Sequence, residues 1–470
     1  MSTSEKRQLT KQAHPKSGNA RFKRMCYAVG ITTVIFIVLI AIGVQMVLAN
    51  IRRVSDFINT HLDSDSVRTL LDENESFNQF VGRMKTFHQE TGKAPAMLLF
   101  NGRVLPMVRN WRCNTRVFAG VHERTFIVTL SDDAQHAMNV EGWPIERSLH
   151  LPVEWLNVGG LNVPFCAIFC GFGYLAGHEL GVSLLNTFHF TILPWSILPA
   201  QFSISIYTPI YKRCVFDFAL QDTIIDLKPT YKAIFTLRNM ILLRILKAGV
   251  PVWQCQQDTF WRDDLFSYDL ERNATLNNFD FLHDSQGYDE NSIRNVDIGG
   301  ANMYFRPTAG TIEMIERVIY YQPYLSDLTQ MINYCTLEYY RCGRIPYRIA
   351  SGWEWLYANH PQFPPPATIQ MDGCGDGPEF KMREMQKYGM YFLDDQGMKC
   401  RPDSVRAAIR KYTTGDIELP KDIYPDKQKH LEAVAHYVND IEPILRRLPN
   451  WIVVVTKTVF GLIMNVIWGH

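Results

Sequence analysis

The sequence predicts an α/β fold with a mostly parallel sheet, preceded by a membrane-anchoring helix. From residue 96 onward, apolar runs as long as buried strands alternate with helical segments, which is typical of a parallel α/β sheet. Polar residues follow several of these strands, and open sheets of this kind bind ligands beyond the carboxyl ends of their strands. A charge-free run at residues 25–49 is long enough to cross a bilayer.

The charge of the chain is nearly balanced, with 48 Lys and Arg residues against 47 Asp and Glu residues. A nucleic-acid-binding surface needs a strong positive field, so we expect no nucleic acid partner. The length of 470 residues allows two or three domains, or one large domain with additions.

The N-terminus has the pattern of a signal anchor. Residues 1–24 contain seven Lys and Arg residues and one acid, and the apolar run at 25–49 follows directly. The positive-inside rule keeps this basic tail in the cytosol. The pattern therefore predicts a single-pass type II membrane protein with its C-terminal domain in the lumen; a buried core helix is the alternative.

Other features agree with a lumenal location. Asn74 and Asn273 begin the glycosylation triplets Asn-Glu-Ser and Asn-Ala-Thr. Nine cysteines follow the anchor, and an oxidising compartment allows them to pair, with at least one left free. The cysteines and histidines do not have zinc-site spacing.

Residues 50–95 read as a polar stem between the anchor and the folded domain. Apolar residues occur there at helical spacing, namely Val67, Leu70, Phe77, Val81 and Met84. This pattern predicts a short coiled coil and therefore a possible homodimer through the stem. Asn74 falls on the same seam, and a glycan at that position would forbid the pairing.

The elements that follow place polar residues at strand ends. The strand "AMLLF" ends at Asn101, and the strand at 125–130 is followed by Asp133. The segment "YKAIFTLRNMILLRILKAG" predicts an amphipathic helix that Gly249 ends. The next strand, "VPVWQC", leads to Asp258. Since parallel strands end at one edge of a sheet, Asn101, Asp133 and Asp258 are expected along that edge.

Two further apolar runs leave alternatives open. Residues 161–198 contain one acid and no Lys or Arg, which fits an insertion packed on the domain or a second membrane span. A second span would separate Asp133 from Asp258, whereas the strand pattern needs both in one sheet. Residues 451–468 could lie in the membrane interface, cross the membrane, or pack on the domain.

Several blocks, taken in order, carry a resemblance. They are "FNGRVLPMVRNWRCNT", "TLSDDAQHAM", "TLRNMILLRILKAGVPVWQCQQDTFWRDDLF", "DIGGANMYFRPTAGTIEMIERV", "IPYRIASGWEWLY" and "IQMDGCGDGPEFKMREMQKYGMYFLDDQGMKC". Together they resemble the nucleotide-diphospho-sugar transferase family, type II Golgi enzymes with the A-type glycosyltransferase fold. The resemblance implies a single Rossmann-like domain at 96–400 that includes the apolar insertion, and a C-terminal extension at 401–470.

The resemblance also implies roles for particular residues. In the family pattern two acids hold Mn²⁺ or Mg²⁺, which balances the charge of the donor's diphosphate. Asp258 matches the second acid and would be the metal ligand, while Gln256 stands where the first acid is expected. The donor-binding positions would be Asn101, Asp133, Arg238, Gln256, Gly299, Gly300 and Lys381. The catalytic candidates would be Asp258, Asp297 and Asp327.

The missing acid leaves two explanations. Arg238 and Lys381 could replace part of the metal's role, because a cationic clamp stabilises a leaving phosphate without a metal. Otherwise the chain is a non-catalytic relative. Read without the resemblance, Asp258 would cap a turn, Arg238 would lie on a helix surface, and Lys381 would belong to a solvated face.

The function predicted from the sequence is that of a Golgi-membrane glycosyltransferase. It would move a sugar from a nucleotide-diphosphate donor to a glycan or glycoprotein acceptor in the secretory pathway. The alternatives are an inactive lumenal relative that binds nucleotide sugar or glycan, and a multi-span membrane protein without enzymatic activity.

Overall fold

The computed structural model describes residue 45 and residues 48–153, 229–289, 297–357, 365–371 and 378–415. The predicted cytosolic tail, nearly all of the predicted anchor, the apolar insertion and the C-terminal apolar run lie outside these residues. Among the helices within the described ranges, none has the length and apolar character needed to cross a membrane.

The helices of the described ranges surround a single sheet. They are α1 (48–61), α2 (Ser64–Val67), α3 (Glu75–Thr91), α4 (Leu105–Thr115), α5 (Asp132–Val140), α6 (Pro229–Lys247), α7 (Ala309–Tyr321), α8 (Asp327–Thr336), α9 (Pro378–Lys387) and α10 (Pro402–Thr414). A π-helical turn, Arg68–Asp72, continues α2.

The sheet within the described ranges has ten strands. They are β1 (Ala96–Phe100), β2 (Thr125–Thr129), β3 (Ser148–His150), β4 (Val252–Cys255), β5 (Thr259–Trp261), β6 (Phe281–Ser285), β7 (Ile298–Phe305), β8 (Cys342–Arg344), β9 (Ala350–Ser351) and β10 (Thr368–Gln370). Their order is β3-β2-β1-β4-β7-β6-β9-β10-β5, and β8 pairs with β6.

The predicted α/β class is confirmed, and the sheet is mixed. Strands β3, β2, β1 and β4 run parallel to one another, as do β6, β8, β9 and β10. Strand β7 is antiparallel to both β4 and β6, and β5 is antiparallel to β10. As a result, β7 and β5 begin at the edge where most other strands end, and this edge collects residues from both kinds of terminus.

The helix and strand before Asp258 form as predicted. Helix α6 ends at Lys247, and Gly249 has φ +79°, a conformation that glycine adopts at low cost. Strand β4 follows at Val252, and all four of its residues are buried. A buried strand thus delivers the chain to Gln256 at the sheet edge.

The segment predicted as a stem is part of the folded domain. Phe77, Phe80 and Met84 on α3 are fully buried in the same apolar cluster as Phe126 and Val128 of β2. The rings of Phe80 and Phe126 meet edge to face, with centroids 5.7 Å apart. The predicted boundary at residue 96 therefore lies too late in the chain.

The predicted coiled-coil seam is covered by the chain itself. Val67 is buried with Phe77 and Met84, and Leu70 and Val81 pack against the same cluster. The helical spacing that predicted a homodimer through the stem reflects packing on the sheet of the same chain.

Helix α4 ties distant parts of the chain together. Asn114 donates to the carbonyl of Trp261 at 2.9 Å and accepts from its N–H at 2.6 Å. Asn110, one turn earlier in α4, donates to the carbonyl of Met390 at 3.0 Å and accepts from the N–H of Phe392 at 2.7 Å. Both amides are buried, so β5 and the segment after α9 are fixed to one helix.

Two disulfides lie within the described residues. Cys113 of α4 pairs with Cys400, and Cys335 pairs with Cys342. Cys255 is a buried free thiol, and burial raises its pKa to about 12. The prediction that some cysteines pair and at least one stays free is confirmed for this part of the chain.

Truncation of Phe80 will show whether α3 belongs to the domain. We expect Phe80→Ala to lower the free energy of unfolding by about 3–5 kcal/mol, because it opens a cavity between α3 and β2. Denaturant unfolding measures this loss, with the exposed Val140→Ala as control. A cost for Phe80→Ala no larger than that of the control would show that α3 does not pack on the sheet.

Candidate active site

Strand ends gather polar residues at one edge of the sheet. Strands β1, β2, β4, β6, β9 and β10 end at this edge, whereas β7 and β5 begin there. The residues in or directly beyond these strand ends are Asn101, Asp133, Gln256, Asp258, Asp284, Gly299, Gly300 and Gln370. The predicted placement of Asn101, Asp133 and Asp258 along a common edge is confirmed.

The start of β7 requires two glycines. Gly300 has φ +82°, and a Cβ there would lie 2.9 Å from Cδ2 of Leu328. A Cβ on Gly299 would lie 3.1 Å from Cγ of Asp284 and 3.1 Å from Oε1 of Gln370. The backbone of this Gly-Gly turn therefore packs against three side chains with no room for one of its own.

Asp284 holds the turn from the β6 side. Its carboxylate accepts the N–H of Gly300 at 2.8 Å and the N–H groups of Ala301 and Asn302, both at 3.1 Å. The side chain is buried, and burial raises its pKa to about 7 against the opposing effect of these hydrogen bonds. The sequence signal for this residue was an acid within the apolar run "FLHDS", which our sequence reasoning missed.

Gln256 holds the turn from the β4 side. Its Nε2 donates to the carbonyl of Gly300 at 2.7 Å, and its backbone N–H donates to the carbonyl of Ala301 at 2.9 Å. An ionised aspartate has no proton to donate and would repel this carbonyl. The amide at the position of the missing acid thus has a structural role of its own.

Asp258 is paired with Lys381 from α9. The Nζ of Lys381 lies 2.6 Å from Oδ2 of Asp258, whose side chain is 3% exposed, while that of Lys381 is 21% exposed. The carbonyl of Asp258 accepts from the N–H of Met371 at 2.7 Å, which ties it to the end of β10. Lys381 therefore does not belong to a solvated face; it contacts the residue predicted as the metal ligand.

Two buried oxygens near this pair have no hydrogen-bond partner within the described residues. They are Oδ1 of Asp258 and Oε1 of Gln370. Both belong to residues about 97% buried or more, and a buried acceptor without a partner carries an energetic cost. Both oxygens therefore keep the capacity to accept a hydrogen bond.

Among the described residues, the side chains around Asp258 do not form a ligand set for a divalent cation. Asp284 directs its carboxylate at backbone N–H groups, and the amide nitrogen of Gln256 is bonded to Gly300. The carboxylate of Asp258 is paired with the ammonium of Lys381. Within the described ranges, His, Cys, Asp and Glu residues form no group of three or more that could hold a metal. A role for Mn²⁺ or Mg²⁺ stays a prediction from the resemblance.

Arg238 and Asp327 form a buried ion pair beside the Gly-Gly turn. The guanidinium lies 2.5 Å from Oδ2 of Asp327 and stacks over the ring of Phe235 at 4.1 Å. Asp327 directly precedes Leu328, which contacts Gly300. Arg238 is 6% exposed and not on the helix surface, and its contact with a diphosphate stays a prediction, as does catalysis by Asp327.

The two remaining strand ends meet around Gly102. Asn101 accepts from the N–H of Arg103 at 3.1 Å, and Ser131 accepts from the N–H of Gly102 at 2.9 Å while donating to Asp133. A Cβ on Gly102 would clash with the carboxylate of Asp133. The structure brings Asn101 and Asp133 together, and donor binding by either stays a prediction.

Asp297, the third catalytic candidate, directly precedes β7. Its carbonyl accepts from the N–H of Gln286 at 2.9 Å, which joins the end of β6 to the start of β7. A catalytic role for its carboxylate stays a prediction.

Replacing the amide of Gln256 tests its structural role. We expect Gln256→Glu to destabilise the chain by about 1–3 kcal/mol, because the carboxylate cannot donate to the Gly300 carbonyl. Denaturant unfolding measures this cost, and Gln257→Glu, a half-buried neighbour, is the matched control. Equal stability of the two variants would contradict the assigned hydrogen bond.

Asp284 makes stability depend on pH. Because its pKa in the folded chain is about 7, against an ordinary value of 3.8, the folded chain keeps a proton that the unfolded chain has lost. The stabilisation of the folded chain that results from this proton is fully present below pH 3.8 and is lost as the pH rises to about 7. We expect the free energy of unfolding, relative to that of Asp284→Asn, to fall across this window.

Denaturant unfolding of both proteins at several pH values measures this dependence. Asp269→Asn, which removes an exposed acid, corrects for titration at the surface. A relative stability of the wild type that stays constant or rises with pH would contradict the raised pKa.

Comparison with known proteins bears directly on this site. The family model described as nucleotide-diphospho-sugar transferase matches residues 201–385, a range that includes the Gly-Gly turn, Asp258, Asp284 and Lys381. No curated protein matches the chain. The resemblance predicted from the sequence is thus confirmed over residues 201–385, where the chain matches the nucleotide-diphospho-sugar transferase family.

Proposed function

We propose that the chain is a glycosyltransferase that moves a sugar from a nucleotide-diphosphate donor to a glycan or glycoprotein acceptor. The match to the nucleotide-diphospho-sugar transferase family supports transfer of this kind. The observation that carries the proposal is the edge site itself: a cation-paired carboxylate at Asp258 stands in the same sheet edge as the glycine turn at 299–300.

The geometry suits a large polar ligand. Asp258 and Gln370 offer buried acceptor oxygens to sugar or ribose hydroxyls, and the contact of Gln370 with the Gly-Gly turn fixes one of these oxygens at the edge. Lys381 brings positive charge to the edge where the diphosphate would lie.

The reaction follows the chemistry of the donor. The bond between the anomeric carbon and the β-phosphate oxygen breaks, and the nucleoside diphosphate leaves with the electron pair. The acceptor hydroxyl forms the new bond to the anomeric carbon, and its proton passes to water. Positive charge at the phosphates stabilises the departing group, which is the role expected of Lys381.

A Golgi location with the domain in the lumen is part of the proposal. The two disulfides of the described residues are typical of an oxidising compartment. Asn273 is exposed, and the hydroxyl of Thr275 donates to it at 2.6 Å. Asn74 is half-buried, and its Oδ1 caps α3 by accepting from Phe77, which leaves its Nδ2 for a glycan. The proposed anchor lies in the N-terminal apolar run.

An inactive relative that binds nucleotide sugar is the second candidate. The observation that favours it is Gln256, whose amide is committed to the Gly300 carbonyl where the family pattern has an acid. The two candidates differ in turnover and not in binding, so an activity assay separates them.

The central test is a screen of the full-length chain, purified in detergent from a eukaryotic secretory host, against a panel of nucleotide sugars. We expect hydrolysis or transfer with at least one donor, and we expect Asp258→Asn to abolish it, because Asp258 anchors Lys381. Release of nucleoside diphosphate is the measurement, and Asp269→Asn is the matched surface control.

Two outcomes would count against the proposal. Binding of nucleotide sugar without turnover of any donor would favour the inactive relative. Full activity of a folded Asp258→Asn variant would remove Asp258 from the site.

A further inference from the structure

We propose that the ammonium of Lys381, held by Asp258, takes the place of a divalent cation and binds the diphosphate of the donor directly. This inference rests on the proposed function and adds to it that nucleotide binding needs no metal. It begins from the disagreement between the donor set at Asp258 and the ligand set that Mn²⁺ or Mg²⁺ requires.

The charges at the site support the substitution. Two carboxylates and a divalent cation sum to zero charge, and so do one carboxylate and one ammonium. Here Gln256 is neutral at the first position of the acid pattern, Asp258 carries the carboxylate of the second position, and Lys381 lies 2.6 Å from this carboxylate. A divalent cation bound to Asp258 would have to displace this ammonium or be repelled by it.

The ammonium of Lys381 lies between the buried carboxylate of Asp258 and the solvent. The side chain of Asp258 is 3% exposed, whereas that of Lys381 is 21% exposed and reaches the carboxylate from the first turn of α9. An ammonium has three donors and can hold a carboxylate and phosphate oxygens together. Asp258 thus positions the charge, and Lys381 presents it to a ligand at the edge.

The neighbouring acceptors define what kind of ligand is recognised. Oδ1 of Asp258 and Oε1 of Gln370 are buried and have no hydrogen-bond partner within the described residues. They suit hydroxyl donors, whereas Lys381 suits anionic oxygens. A hydroxyl-bearing diphosphate, such as a nucleoside-diphosphate sugar, satisfies both sets of groups at once.

The test measures binding of UDP and of GDP to the full-length chain by calorimetry, once in excess EDTA and once in excess MnCl₂. We expect at least one nucleotide to bind with the same affinity in both solutions. We expect Lys381→Met to weaken this binding roughly 10- to 100-fold, the loss of one charge-assisted hydrogen bond. Lys387→Met removes a Lys from the same helix, where Lys387 pairs with Glu384, and is expected to leave binding unchanged.

A second variant guards against misfolding. Lys381→Met leaves a buried carboxylate without its cation, which can destabilise the chain. The double variant Lys381→Met with Asp258→Asn removes both charges. The proposal is supported if this variant folds and its affinity for nucleotide is lower than that of the wild type. Retained affinity in this folded double variant would overturn it.

The remaining outcomes separate this inference from the proposed function. Nucleotide binding that needs MnCl₂ and tolerates Lys381→Met would overturn the inference and leave the proposed function in place. Binding of Mn²⁺ alone that Asp258→Asn abolishes would also overturn it. If neither nucleotide nor any nucleotide sugar binds in either solution, both the inference and the proposed function fail.

Discussion

The site depends on the close backbone contact at Gly299 and Gly300. Asp284 accepts three N–H groups on one side of this turn, and Gln256 donates to the Gly300 carbonyl on the other. Both contacts need a backbone without side chains, because a Cβ would meet Asp284, Gln370 or Leu328. The turn therefore fixes the distance between β4, β6 and β10 at the edge where the polar residues meet.

The Asp258–Lys381 pair gives this edge its charge. Unlike the carboxylate of Asp284, that of Asp258 accepts from no backbone N–H within the described residues, so its buried charge depends on a cation. Lys381 supplies that cation from a helix 123 residues later in the chain. Gln256, which has no charge, needs no such partner and instead shapes the turn. Of the two positions that match the family's acid pattern, Asp258 thus has an electrostatic role and Gln256 a structural one.

Much of this could be predicted from the sequence, because it follows from local pattern. Alternating strands and helices predicted the fold class, and the ends of the strands predicted that Asn101, Asp133 and Asp258 lie along one edge of the sheet. The prediction of a coiled-coil seam was wrong, because the spacing of apolar residues indicates which face of a helix is buried but not which chain covers that face. The contacts of Asp284 and of Lys381 could not be predicted, because they join β6 to the antiparallel strand β7 and Asp258 to a helix that is distant in the sequence.

The position of Lys381 depends on α4, which is remote from it in sequence. Asn110 contacts Met385 of α9 and binds the backbone of Met390 and Phe392, while Asn114 binds both backbone groups of Trp261 in β5. One helix thus positions the strand that follows Asp258 and the helix that carries Lys381. Because α4 holds both the strand beside Asp258 and the helix of Lys381, the geometry of the Asp258–Lys381 pair does not depend on a metal ion. The amides of α4 are therefore as much a part of the proposed cationic site as the charged residues themselves.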